Sequence, residues 1–427
     1  MVLYGNIKIK MDIKKQRGQF FTTKDRVLNV LVSLVKNDGD IFEPSAGSGH
    51  IINALEKINK TKIYSCELDS SKVSKKVCNS GIDIDNFFNY IKKDKKYLTS
   101  IGNPPFVKLK NVEEDTINIL PEKINDNGNL YYYFIKYSVE VLYDNGELIF
   151  IVPKEWLYNT SAQFLRDYLK DKGNFTHFID CGEEKLFDDA DVPSLCIFRF
   201  EVGYEGKVKY YDSIDDYNNN KFKKKNVMFG KTISFSNKDR NGSKISDFFD
   251  VKVGLVTGKE DVFKLNDGHN LGIDGVSHIM TTKRTYSEYL FLENYDSFDI
   301  IPENIQNYLN NHYNELIGRK IKKFTESDWW KYGAIRNLDL MKSNRPRIYG
   351  LMKTRDESPF WLGEEGSLFS GGVFALFLKE GVNMDICEAV EYLNSDEFKV
   401  IMKESNLYSN NKVSITPSAF SSLPFVI

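Results

Sequence analysis

Apolar residues in the first half of the chain form two alternating patterns, which predict strands and helices in turn. Short apolar runs end at Glu43, Glu67 and Asn103, and stretches with apolar residues at helical spacing, such as 27–35 and 130–142, lie before and after them. Strands that alternate with helices favour a doubly wound parallel sheet. Because such sheets bind ligands beyond the carboxyl ends of their strands, the three strand ends are expected to line one crevice.

The later pattern predicts further strands and then a second domain. We expect strands over 147–152 and 176–180, and an antiparallel strand over 194–200 at the edge of the sheet. A polar stretch follows, and the strand–helix alternation is lost after it. We therefore assign residues 1–235 to an α/β domain and residues 240–427 to a domain of mixed α+β structure.

Length, cysteine content and charge restrict the classes of protein to which this chain can belong. A chain of 427 residues fits two domains, and its five cysteines lack metal-ligand spacing, so we expect reduced thiols, a cytoplasmic protein and no metal site. Neither a membrane span nor a signal peptide is recognisable. The net charge of −2 argues against nonspecific coating of nucleic acid, although residues 318–355 contain eleven Lys or Arg against three Asp or Glu. That stretch is either a surface facing nucleic acid or a solvated helical face.

The most informative segment is Asn103-Pro104-Pro105-Phe106. Its prolines cannot continue a sheet ladder, so a stiff turn must end the strand. The Asn103 side-chain oxygen and the Pro104 carbonyl could accept both hydrogens of a planar exocyclic amine, with Phe106 stacked on the ring. The alternative is an ordinary strand-ending turn with a buried Phe.

The loop after the first predicted strand carries Glu43, Gly47 and Gly49. Glycines allow the backbone to approach a ligand closely. The full dinucleotide pattern is absent and Glu43 would repel a pyrophosphate, so a ligand with a cationic or amine end is expected. Glu67, 24 residues after Glu43, ends the second strand, where an acid binds a ribose diol in nucleotide-binding folds.

Taken together, these motifs resemble those of the gamma-class adenine-N6 DNA methyltransferases of the TaqI type. Their order along the chain supports the resemblance more than any one of them. They are Gly18 to Thr22, Glu43 to Gly49, Glu67, Asn103 to Phe106, and Val152-Pro153 followed by Trp156-Leu157.

The resemblance implies a Rossmann-like fold that uses S-adenosylmethionine as the cofactor. It places the cofactor adenine between Leu68 and Phe87, the ribose at Glu67, and the methionine end near Glu43 and Thr22. Either Asp85 or Asn86 would contact the adenine; spacing to Asn103 favours Asn86, and the choice stays open. The implied cofactor residues are Thr22, Glu43, Ala46, Gly47, Gly49, Glu67, Leu68, Asn86 and Phe87.

For the reaction, the resemblance implies methyl transfer to the N6 amine of an adenine flipped out of duplex DNA. Asn103 and Pro104 would hold the amine, and Phe106 and Phe187 would pack on the base. The second domain would be a target recognition domain, because 248–258 resembles the opening of such domains and 410–418 their close. Its candidate DNA contacts are Arg345, Arg347, Lys353 and Arg355.

The expected partner is double-stranded DNA, and we expect the protein to act as a monomer. It would either accompany a separately encoded restriction endonuclease that acts on the same site or be a solitary methylase. No fused nuclease is expected ahead of the cofactor motifs. Two other enzyme classes share a pocket for a planar amine, namely RNA base methyltransferases and protein glutamine methyltransferases. A nucleic-acid binder without cofactor is a third alternative, against which Glu43, Glu67 and Asn103 argue.

Overall fold

In the computed structural model, the chain divides into two compact units, residues 1–240 with 404–406 and residues 241–403 with 407–427. The structure describes residues 24–60, 62–74, 77–122, 128–182, 184, 186, 194–237, 242–265, 276–409 and 412–426. Thr22, Phe187 and Asn410, named above, lie outside the described residues. No described helix is long and apolar enough to span a bilayer.

The first unit is built on a 10-stranded sheet with the order β10-β9-β8-β6-β7-β5-β4-β1-β2-β3. Its strands are β1 (Ile41–Glu43), β2 (Ile63–Glu67), β3 (Asp83–Ile84), β4 (Tyr97–Gly102), β5 (Leu142–Pro153), β6 (Gly173–Gly182), β7 (Leu195–Val202), β8 (Val208–Tyr211), β9 (Lys223–Phe229) and β10 (Ile233–Ser236). Strands β3, β2, β1, β4 and β5 are parallel neighbours in that order. This confirms the Rossmann-like methyltransferase fold.

Strand β7 corrects one expectation from the sequence. It is antiparallel as predicted, but it lies between β5 and β6 and pairs with both, rather than at an edge. Its residues from Leu195 to Phe200 are all buried. The predicted strands over 147–152 and 176–180 are also longer than expected. β6 extends because it pairs with β7 from Gly173 to Gly182, whereas the extension of β5 begins at Leu142, which pairs with Tyr97 of β4.

Helices cover both faces of this sheet. The helices of the first unit are α1 (Asp25–Ser33), α2 (His50–Lys57), α3 (Phe87–Tyr90), α4 (Glu114–Ile119), α5 (Leu130–Glu140), α6 (Gln163–Lys172) and α7 (Ile214–Asn218). Helix α1 buries the apolar stripe that predicted it, including Val27 and Leu31, against Ile41 and Ile101 of the sheet. Helix α5 packs on the other face in an aromatic cluster with Phe42 and Phe150.

The second unit has mixed α and β structure in three small sheets, ordered β11-β18-β14-β16, β13-β12-β17 and β15-β20-β19. Its strands are β11 (Phe249–Val253), β12 (Val276–Met280), β13 (Tyr286–Leu290), β14 (Arg347–Leu351), β15 (Lys353–Thr354), β16 (Phe360–Gly363), β17 (Leu368–Phe369), β18 (Val373–Leu378), β19 (Tyr408–Ser409) and β20 (Lys412–Ser414). Its helices are α8 (Ile245–Phe248), α9 (Glu260–Phe263), α10 (Glu303–Asn311), α11 (Tyr313–Ile317), α12 (Leu338–Lys342), α13 (Ile386–Asn394), α14 (Asp396–Glu404, whose last residue groups with the first unit) and α15 (Pro417–Ser421).

Candidate active site

The loops after β1, β2 and β4 are joined by hydrogen bonds at the carboxyl edge of the sheet. The Ser45 hydroxyl donates to the Asn103 carbonyl oxygen at 3.2 Å, which links the β1 loop to the Asn-Pro-Pro-Phe turn. The Gly47 N–H donates to Glu67 Oε2 at 2.8 Å, which links the same loop to the end of β2. The Asp85 N–H donates to the Glu67 carbonyl at 3.1 Å. The strand ends that the sequence expected to share a crevice are therefore adjacent.

Two glycines of the β1 loop have backbone conformations that disfavour a side chain. Gly47 has a φ of 55° and Gly49 a φ of 88°. A Cβ on Gly49 would also lie 2.6 Å from the Cys78 sulfur. Gly49 is the N-cap of α2, so the loop leads directly into the helix. Ala46 is buried beneath the same loop. The loop therefore presents backbone rather than side chains to the crevice.

Glu43, the last residue of β1, has a carboxyl group with little solvation. The residue is 1% exposed. Within the described part of the chain, its Oε2 atom has no hydrogen-bond partner. Burial, with a smaller contribution from the nearby Glu67 carboxylate, raises the pKa of Glu43 well above its usual value. A bound cation would offset both effects, so the site suits a ligand with a positive charge.

Glu67 is held in place at the end of β2. Its Oε1 accepts the Asp69 N–H at 2.9 Å, while Oε2 accepts the Gly47 N–H. A carboxylate has about four lone-pair sites, so these bonds leave capacity for two hydroxyl donors. The adjacent Leu68 is 51% exposed, so it offers an apolar surface on which a planar ring could pack.

Phe87 does not lie where the sequence placed it. It is 2% exposed and belongs to the core. Its ring stacks on Phe42 at 6.0 Å and on Phe134 at 4.6 Å between centroids. Phe87 begins α3 and faces the aromatic layer under the sheet, so its ring faces pack within the protein rather than against an adenine.

The choice between Asp85 and Asn86 also becomes clearer. Asn86 is the N-cap of α3: its Oδ1 accepts the Phe88 N–H at 3.1 Å and its Nδ2 donates to the Thr116 hydroxyl at 2.9 Å. Asp85 is partly exposed at the same strand end, 3.3 Å from the Lys93 ammonium. Both ends of the Asn86 amide are thus engaged within the protein. Asp85 is therefore the better candidate for the contact with the cofactor adenine.

The Asn103 turn follows β4 directly, as predicted. Within it the Val107 N–H donates to the Pro105 carbonyl at 3.2 Å, while Pro104 is buried. Phe106 is half-buried. Its ring meets the ring of Tyr131 edge-on, with centroids 5.7 Å apart and planes 79° apart.

Tyr131 is a residue that the sequence analysis missed. It is fully buried in α5, and its hydroxyl donates to the Pro153 carbonyl at 3.3 Å. It therefore connects the Phe106 ring to the end of β5, the strand that precedes the buried Trp156 and Leu157. A run of three tyrosines in a buried helix, 131–133, was the only signal in the sequence.

Two of the four candidate DNA contacts are engaged within the second unit. Arg347 is fully buried and donates to the carbonyls of Met341, Ser343, Ser367 and Arg345. Arg345 forms an ion pair with Asp250 at 2.8 Å and donates to the Leu378 carbonyl at 2.9 Å. These arginines stabilise the sheet around β14. The prediction that Arg347 contacts DNA is wrong because its side chain is buried, and the prediction for Arg345 stays a prediction. Lys353 and Arg355 are exposed.

Similarity to known proteins agrees with this geometry. Residues 27–187, which include the loops after β1, β2 and β4, match the Eco57I restriction-modification methylase family. This segment is therefore similar to that family. The match covers the Asn103 turn and the Glu43 and Glu67 strand ends, so the predicted methyltransferase class is confirmed. Among the described residues of this chain, no group of three or more His, Cys, Asp or Glu side chains could hold a metal ion.

Relatives extend the similarity to both units of the chain. It is 25% identical to the Type II methyltransferase M.HindII of Haemophilus influenzae, over 96% of this chain and 89% of that protein. It is 24% identical to M.HincII of Haemophilus influenzae, over 96% and 88% of the two chains. The modification methylase CviBIII of Paramecium bursaria Chlorella virus NC1A is 32% identical over 33% of this chain and 38% of that protein.

The fold of the chain is also similar to solved structures. The Type IIL restriction-modification enzyme MmeI, in complex with DNA, matches with a TM-score of 0.57 and 11% identity over 97% of this chain. This chain spans 64% of the length of that MmeI chain. DrdV in a DNA complex matches with a TM-score of 0.51 and 11% identity, over 92% of this chain and 52% of that one. At these identities the likeness concerns the fold alone.

Proposed function

We propose that this chain transfers a methyl group from S-adenosylmethionine to the N6 amine of an adenine flipped out of duplex DNA, as the modification enzyme of a restriction system or as a solitary methylase. The observation that carries the proposal is the junction of Glu43, Glu67 and Asn103 at one edge of the sheet. The Ser45–Asn103 and Gly47–Glu67 hydrogen bonds make that junction.

The residues at this edge fit the proposed cofactor. When bound, S-adenosylmethionine supplies an electrophilic methyl group on a positively charged sulfur. Glu67 is positioned to accept from ribose hydroxyls, and Leu68 offers an exposed apolar surface to the adenine. The ionised form of Glu43 would be stabilised by the positive charges of the cofactor, and Gly47 and Gly49 leave room for close approach.

The Asn103 turn fits an amine as the methyl acceptor. The N6 lone pair of adenine is delocalised into the ring, which makes the amine a poor nucleophile. Acceptance of its two hydrogens by the Asn103 side-chain oxygen and the Pro104 carbonyl helps to localise that pair, and Phe106 stacks on the base. Positioning of this kind supplies much of the catalysis when no strong base is needed. A flipped base is required because the duplex encloses N6.

Duplex DNA as the substrate is supported by the second unit. The M.HindII and M.HincII relatives, both Type II methyltransferases, align with both units of this chain. An RNA base enzyme or a protein glutamine enzyme would need another use for a unit of this size. The monomeric state and a partner endonuclease stay predictions.

The test is nucleoside mass spectrometry of duplex DNA incubated with the protein and deuterium-labelled S-adenosylmethionine. We expect labelled N6-methyladenine. Asn103→Ala should lower the rate by about 100-fold or more, because one of the two acceptors for the amine is lost, while cofactor binding measured by calorimetry persists. Ser33→Ala, far from the strand ends on α1, serves as the control and should retain wild-type activity.

Label on cytosine would overturn the choice of base but keep the cofactor. Label found only in RNA or in protein would overturn the substrate class. Full activity in Asn103→Ala would remove the turn from the mechanism.

A further inference from the structure

The small sheet β15-β20-β19 of the second unit has two distinct faces. In the antiparallel pair, Thr354 lies opposite Val413, and Lys353 lies opposite Ser414. Val413 is fully buried, so it marks the inner face. Side chains alternate along a strand, and directly opposed residues share a face. Lys353, Ser414 and Lys412 therefore lie on the outer face, where both lysines are exposed.

This sheet is anchored at the start of β15. The Met352 N–H donates to the Gly372 carbonyl at 3.1 Å, and the Met352 carbonyl accepts the Ile415 N–H at 2.8 Å. β15 is thus fixed to β20 and to the rest of the unit on the N-terminal side of Lys353. The outer face is a preformed surface whose shape does not depend on a ligand.

The loop after β15 places another cation beside it. Arg355 follows β15 and is exposed. The adjacent Asp356 carboxylate is engaged by the Arg284 guanidinium at 2.6 Å and by the Ser358 N–H at 3.0 Å. Arg284 also donates to the Ser358 carbonyl at 2.5 Å. The ion pair neutralises Asp356 and fixes the backbone on the C-terminal side of Arg355.

The local charge is positive. The three segments that meet here, 281–285, 352–358 and 412–415, contain five Lys or Arg and two carboxylates, one of which is Asp356. Within the same unit other arginines are engaged in stabilising the fold. Arg319, for example, is buried and donates to the carbonyls of Leu316, Thr257, Trp329 and Lys331.

We propose that Lys353, Arg355, Lys412 and Ser414, together called the basic face, bind the phosphodiester backbone of DNA. Lysine is a point charge suited to phosphate, and serine hydroxyls are common phosphate donors. Contacts of this kind position the protein on the duplex without reading its sequence. The inference rests on the proposed function, since it assigns the backbone contacts of the same DNA substrate.

The experiment compares the salt dependence of duplex binding for three proteins: wild type, Lys353→Gln/Arg355→Gln/Lys412→Gln, and the control Lys320→Gln/Lys323→Gln/Lys342→Gln. The control removes the same charge from other exposed positions of the second unit. Each phosphate contact adds about 0.9 to the slope of log Kd against log salt concentration. We expect the basic-face variant to lose about 2 to 3 from this slope and the control less than about 1.

The same loss of affinity is expected on duplexes with and without the methylated sequence, and both variants should keep the wild-type melting temperature. Equal slopes for the two variants would overturn the proposal. A change in sequence preference without a change in slope would also overturn it, because base contacts would then be responsible. If the wild type itself neither binds nor methylates DNA, the proposed function fails; if it methylates DNA and the slopes are equal, only the basic face fails.

Discussion

Two buried glutamates, on the strands β1 and β5 that flank β4, have contrasting surroundings. Glu147 in β5 is fully buried and bonded to Arg199 at 2.6 Å, to the N–H groups of Lys36 and Asn37, and to the Thr99 hydroxyl at 2.8 Å. Glu43 is 1% exposed, and its Oε2 has no partner among the described residues. Burial alone therefore does not distinguish a structural carboxylate from a functional one.

The position of each residue explains the difference. In the sheet register, Glu147 is level with Thr99, which is level with Ile41 at the start of β1. Glu43 ends β1 and so lies towards the carboxyl edge of the parallel strands. At the amino edge the protein provides all the partners of its buried charge. At the carboxyl edge a buried acceptor is left for a ligand, and that arrangement costs stability in its absence.

The largest effect on stability is expected at Glu147. Glu147→Gln removes one of the two carboxylates that pair with Arg199, the other being Glu201, and we expect a loss of about 2–3 kcal/mol in the free energy of unfolding. Urea denaturation followed by circular dichroism measures this loss. The methylation rate per folded molecule should stay within about twofold of the wild type, since the residue is remote from the strand ends. A loss under about 1 kcal/mol would contradict the structural role of the cluster.

A smaller effect of opposite sign is expected at Glu43. Glu43→Gln removes a buried carboxyl group that is either ionised with little solvation or retains a proton that the unfolded state releases. Without cofactor it should therefore raise the free energy of unfolding by about 1–2 kcal/mol near neutral pH. It should also abolish detectable cofactor binding in calorimetry. Stabilisation together with unchanged cofactor affinity would contradict the proposed role of Glu43.

The pH dependence of stability and of cofactor affinity follows from the raised pKa of Glu43. Between the usual carboxyl range and that raised pKa, the folded state retains a proton that the unfolded state releases. Stability of the wild type should therefore fall as pH rises through this window, and Glu43→Gln should lack that contribution. Cofactor affinity should rise with pH over the same window, because a cation binds the ionised carboxylate. Parallel stability curves for the two proteins would contradict this assignment.

The smallest effect is expected at Tyr131. Tyr131→Phe keeps the ring that meets Phe106 edge-on and removes only the hydrogen bond to the Pro153 carbonyl. One such bond contributes about 1 kcal/mol, so we expect a roughly 5-fold lower kcat with little change in cofactor affinity. Tyr133→Phe in the same helix is the matched control. Equal kcat values for the two variants would remove Tyr131 from the positioning of Phe106.

The sequence by itself determined the parallel strands, the strand ends and the motifs that follow them. Apolar runs of strand length and helical spacing are local, so they were readable at Tyr97–Gly102 and Asp25–Ser33. The Asn103 turn was also readable, because prolines restrict the backbone whatever surrounds them.

Only the tertiary structure decided which side chains remain available to bind a ligand or DNA. Phe87 and Arg347 have the residue types of binding residues, yet Phe87 packs between two rings and Arg347 binds carbonyls from its own unit. The sequence pattern of β7 predicted an edge strand, but β7 pairs with β6 as well as with β5. No local pattern in β7 indicates that it has a partner on both sides. Partners distant in the sequence determine burial and hydrogen bonding, and no local pattern encodes them.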